Sequence, residues 1–79
     1  MNWRDHIEKV PGVLGGKPVV RDTRLAVEFL LGLFAAGWTE AMVLENYPAL
    51  TTDSLRAVFG YAAERVAAQH AVAARRRAG

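Results

Sequence analysis

"AAGWTEAMVLENYPALTTDSLRAVFGYA", residues Ala35 to Ala62, decides the fold. Gly37 is a natural stop for a helix arriving from the N-terminal side, because glycine adopts the left-handed conformation that closes a helix C-terminus. Thr39 then offers a side-chain oxygen to the unpaired amides of a new helix. Glu40 puts negative charge in its first turn, where the helix dipole favours it. That helix is expected to carry Met42, Val43 and Tyr47 inward and must end before Pro48, which disfavours helical geometry in the residue preceding it. Thr51 or Thr52 caps the next helix, with Asp53 in its first turn. From there Leu55, Val58, Phe59, Ala62 and Val66 recur at helical spacing. Two helices separated by a tight turn form the centre of the chain.

On the N-terminal side, Leu25 to Ala36 reads as a further helix. Only Glu28 and Gly32 interrupt its apolar residues. A helix that is apolar all round needs cover on every side, and a chain of 79 residues has little else to supply it. This predicts a homodimer that buries Phe29, Leu30, Leu33 and Phe34. Beyond Val66 the chain reads "AAQHAVAARRRAG", helical by propensity but with little to bury. The three helices are expected to grow in length along the chain.

From Trp3 to Arg24 the pattern is extended. The apolar pairs Val13-Leu14 and Val19-Val20 sit among Pro11, Gly12, Gly15, Gly16 and Pro18, which predicts two short strands joined by turns. "PGVLGGKPVV" suggests a phosphate-binding loop but fails as one. Its glycine spacing is one residue short, Pro18 stands where the magnesium-binding hydroxyl belongs, and a strand follows in place of a helix. The glycines read as turn residues and Lys17 as a solvated charge.

Composition narrows the function classes. At 52% hydrophobic and 23% charged residues, the chain is globular rather than disordered. It has no cysteine, so neither disulfides nor thiolate metal sites support the small core. His6 and His70 are far apart, Glu40 and Glu45 fall on different helix faces, and no Ser/His/Asp grouping appears. No enzyme, metal or cofactor is expected. The N-terminal residues lack the apolar run of a signal peptide, and the longest apolar run, Phe29 to Ala36, is too short to span a bilayer. The expected location is the cytoplasm, with no membrane partner.

The net charge of +2 is unevenly spread. Residues 1–25 carry five basic and three acidic groups, residues 26–60 one and four, and residues 61–79 four and one. A protein that reads nucleic acid through its middle needs the opposite distribution.

"GGKPVVRDTRLAV" followed by the quoted central stretch resembles the domain-of-unknown-function family 433 over about Ile7 to Arg65. Asp22 replaces a glycine of the family pattern, a change that a turn at positive φ tolerates. The resemblance implies a homeodomain-like helix-turn-helix: a single domain over 1–79, mainly α, with a short β-hairpin arm over 1–24 and a three-helix bundle over 25–79 ending in a long C-terminal helix. It also implies the antitoxin of a type II pair that neutralises a PIN-like ribonuclease by direct binding and regulates its own operon. A small DNA-binding transcriptional regulator and a non-DNA-binding interaction module are the alternatives.

In such a fold the first helix of the motif would be Thr39–Asn46, the turn Tyr47–Leu50, and the recognition helix would start at Thr51. Candidate DNA contacts are Thr52, Ser54 and Arg56 at its exposed N-terminus, with Lys17, Arg21 and Arg24 from the arm. Arg75, Arg76 and Arg77 are the candidate contacts to a partner protein, and they also suit the negative end of a helix dipole. Thr23 and Arg24 have a structural alternative, in which Thr23 caps the first helix and Arg24 pairs with Glu28 one turn on.

Overall fold

The computed structural model describes the backbone of residues 2–78 and the side chains of residues 2–70. A 3-10 turn at Trp3–Asp5 leads into strand β1, Ile7–Lys9, which pairs antiparallel with β2, Pro18–Val20, in the register Ile7↔Val20, Glu8↔Val19 and Lys9↔Pro18. Three helices follow: α1, Val27–Ala35; α2, Glu40–Asn46; and α3, Thr52–Ala78. The molecule is mainly helical, with an N-terminal hairpin and a long last helix, as the sequence pattern implies.

The hairpin is displaced from its expected position. Ile7 to Lys9 forms the first strand, whereas Leu14 lies in a 3-10 turn, Leu14–Gly16, within the connection. That connection turns through Gly12, Gly15 and Gly16, all at positive φ, and Leu14 itself has φ of 48°. Ile7 is buried, so one apolar residue followed by two charged ones suffices for a strand whose outer face stays wet. Both valines of β2 are buried: Val20 joins the helical core, while Val19 pairs with Glu8 and is bridged by Ala26. Asp22 sits at φ 64°, the conformation its short polar side chain tolerates in place of glycine.

The helix ends follow their caps. Gly37 takes φ 98° after α1. The Thr39 hydroxyl accepts the Met42 amide at 3.2 Å at the start of α2, which stops before Pro48. α1 begins at Val27 rather than Leu25 because Thr23 and Ala26 are engaged by β2. The Thr23 hydroxyl donates to the Val20 carbonyl and accepts the Leu25 amide, which closes the turn rather than capping a helix. The helices have 9, 7 and 27 residues, so the second is shorter than the first.

The core gathers Ile7, Val20, Val27, Leu30, Val43, Leu50, Leu55, Ala57 and Val58 from every element. Three residues expected inside are exposed: Met42, Phe59 and Val66. Leu55 and Val58 take the core side of α3. Phe59, one turn beyond Leu55, and Val66 lie at the outer edge of that face, where the small body covers them only in part.

Candidate functional site

The helix-turn-helix is built by α2, the turn after it and the start of α3. The Leu50 amide donates to the Tyr47 carbonyl at 2.9 Å, and Leu50 is buried, so the turn is pinned from both sides. At the start of α3 two hydroxyls cap reciprocally. The Ser54 amide donates to Thr51 Oγ1 at 3.1 Å, the Thr51 amide donates to Ser54 Oγ at 3.3 Å, and the hydroxyls are 3.0 Å apart. This satisfies two amides that a helix start leaves unpaired.

The cap corrects the expectation for Ser54. With a relative exposure of 6% and its hydroxyl committed to Thr51, Ser54 is not available to nucleic acid. The exposed residues at this helix start are Thr52, Asp53 and Arg56, one of them a cation and one an anion.

The cations of the arm are placed less uniformly than their sequence spacing suggests. Lys17 is not a lone solvated charge, because its ammonium pairs with Glu28 at 2.5 Å. That contact takes the carboxylate that helical spacing assigned to Arg24, because the hairpin connection folds back onto the first turn of α1. Arg21 donates to the Arg4 carbonyl at 3.2 Å. Arg24 is exposed and, with Lys17 and Glu28, rims a shallow groove floored by Leu14, Leu25 and Phe29. The structure thus brings Lys17 and Arg24 to one groove. Arg75, Arg76 and Arg77 lie outside the residues whose side chains are described.

The proposed dimer residues divide. Leu30 is fully buried within its own chain, so it cannot supply an interface between copies. Its cover comes from its own chain, where α1 packs against β2 and α3. Phe29 is 44% exposed and meets Tyr47 edge-on at 5.9 Å, whereas Phe34 is half-buried against Phe59 at 4.9 Å. Leu33 is also half-buried against the core. The two aromatic residues of α1 therefore serve different faces.

Sequence reasoning missed a clamp between the chain start and α3. Trp3 meets Tyr61 edge-on at 4.9 Å and donates its indole N–H to the Glu64 carboxylate. The Arg4 guanidinium lies 4.3 Å from the centre of the Trp3 ring and pairs with Glu64 at 3.2 Å. The Trp3 hydrogen bond, followed by those from Arg4, holds the Glu64 carboxyl below its ordinary range. A large aromatic residue among charged neighbours at the chain start was the available signal, but its partner is 61 residues away.

Among the described residues no group of three or more His, Asp or Glu side chains could hold a metal ion, and no helix is long and apolar enough to cross a membrane.

Comparison with known proteins gives consistent results. The chain is 37% identical over 59 residues to the uncharacterized protein y4eO of Sinorhizobium fredii, a match that covers 75% of this chain and 27% of that protein. Its fold matches the crystal structure of a DUF433 member protein from Anabaena variabilis with a TM-score of 0.74 and 34% identity, over 77% of this chain and 60% of that one. The chain thus spans less than two thirds of the length of either relative. Residues 7–62 match the family model described as a protein of unknown function, DUF433, and the chain belongs to that family.

Proposed function

We propose that this chain is the antitoxin of a type II toxin–antitoxin pair, acting as a homodimer that neutralises a PIN-like ribonuclease by direct binding. The resemblance of its motifs to such antitoxins suggests the class. The observation that carries the preference for a protein partner is the character of α3. After its packed first turns, Ala63 to His70 are all exposed, Phe59 and Val66 lie in water, and the helix ends in a basic run. An exposed helix suits protein partners: its apolar face suits a second copy of the chain, and its basic run suits the acidic surroundings of a nuclease metal site. The test is to express the gene adjacent to this one alone and together with this chain. Growth arrest by the neighbour, relief by this chain and co-purification of the two support the reading. A neighbour that neither arrests growth nor co-purifies contradicts it.

DNA binding is a second reading, favoured by the helix-turn-helix itself and by Lys17 and Arg24 on one groove. With Ser54 withdrawn and Asp53 beside the exposed start of α3, affinity is expected to be weak and steeply salt-dependent. Fluorescence anisotropy on the upstream DNA at two salt concentrations checks this. Tight binding abolished by Arg56→Ala would make α3 the reader.

A further inference from the structure

One face of α3 carries Thr52, Arg56, Phe59, Ala63, Val66 and His70, all of them exposed. Phe59 is 45% and Val66 54% exposed, and Phe34 of α1 widens the patch by packing on Phe59. The spacing alternates four, three, four, three and four residues, so the stripe has the same geometry read from either end. Ser54, Ala57 and Val58, buried against the body, point away from the stripe, and the buried Leu55 borders it one turn before Phe59.

We propose that this stripe pairs antiparallel with the same stripe of a second copy of this chain. It rests on the dimeric reading given above and assigns the interface. In the symmetric register Phe59 faces the partner's Ala63, Arg56 faces the partner's Val66, and Thr52 faces the partner's His70. A large ring thus meets a methyl twice across the two-fold axis, an isologous contact in which each copy supplies both shapes. The stem of Arg56 covers Val66 while its head group reaches water. No residue of the stripe faces its own kind.

Charge identifies the occupant as a second copy and sets the direction. Residues 26–60 hold four acidic groups and one basic, and residues 61–79 hold one acidic and four basic. Glu40, Glu45 and Asp53 are exposed. An antiparallel pair lays the basic segment of each copy toward the acidic segment of the other, at both ends. A parallel pair would bring like charges together along the whole length. A partner protein that takes the basic tail therefore competes with the electrostatic part of this contact.

The chain has no cysteine, so introduced thiols report without background. Light scattering on the full chain at tens of micromolar is expected to give twice 8.6 kDa, and Phe59→Glu the single mass with an unchanged helical spectrum. Val66→Glu, at a more exposed position, serves if Phe59→Glu fails to fold. Arg56→Cys and Val66→Cys chains should cross-link through a short bifunctional maleimide when mixed and not when separate, because each position lies about 15 Å along the axis from its own copy. A single mass for the unmodified chain at every concentration overturns both the stripe pairing and the dimeric reading. A dimer that survives both glutamate variants, or cross-links equally in the unmixed samples, overturns the stripe and leaves the dimer standing.

Discussion

The two faces of α3 have similar apolar content and opposite fates. On one, Ala57 and Val58 are at most 1% exposed within the core cluster, with Leu55 fully buried at its border. On the other, Phe59 and Val66 are about half in water. The difference lies in what the rest of the chain can reach. A two-stranded hairpin and two helices of 9 and 7 residues cover one side of the first turns of a 27-residue helix and no more. Apolarity alone does not say which residues build the fold and which await a partner.

The sharpest way to break this comparison is to truncate one buried residue of α3 and one residue of its exposed stripe. Leu55→Ala removes a fully buried side chain and is expected to lower unfolding free energy by about 2–5 kcal/mol. Phe59→Ala, measured in dilute solution, is expected to lose only about 1 kcal/mol, since half of its surface is wet already. Equal losses in urea titrations would mean that the two faces are packed alike.

Some of this was legible in the sequence. Gly37, Thr39, Pro48 and Thr51 act through their nearest neighbours, so the helix boundaries around the central turn could be read from propensity and capping alone. The strand at Ile7 to Lys9 could not, because a single buried isoleucine followed by two charged residues leaves no alternation to count. Nor could the pairing of Lys17 with Glu28 or of Trp3 and Arg4 with Glu64, which depend on how the hairpin lies across the helices. Ser54 shows the same limit within a single turn. Its residue type suits both a helix cap and a nucleic-acid contact, and only its burial decides between them.

Smaller changes sharpen the account of the packed face. Thr51→Ala removes half of the reciprocal cap and leaves the buried Ser54 hydroxyl with the Thr51 amide alone. The expected loss is about 1–2 kcal/mol, read from thermal melts. Gly60→Ala tests the flank where the Trp3 clamp meets α3. A methyl there would lie 3.6 Å from the Trp3 Cβ, an ordinary contact, so the gain in helix propensity should stabilise the chain by roughly 0.5–1 kcal/mol. A loss instead would show that Trp3 sits closer than this geometry allows.

The smallest expected effect is on pH dependence. Because the folded-state pKa of Glu64 is lowered, the clamp contributes stability at pH values above the ordinary carboxylate range and loses it as the pH falls toward the depressed value. Glu64→Gln should therefore lower the melting temperature slightly at neutral pH, leave it nearly unchanged at the acid end and so flatten the acid limb, a small effect that suits an exposed group. A steeper acid limb in the variant would contradict the sign.

The central claim, that one face of α3 makes the fold and the other receives a second copy, is tested most directly by the concentration dependence of thermal unfolding. A dimer coupled to folding melts at higher temperature as protein concentration rises. The account predicts such a rise for the unmodified chain over a hundredfold range and its disappearance in Phe59→Glu. A melting temperature independent of concentration in the unmodified chain, or a dependence that Phe59→Glu leaves intact, would contradict it.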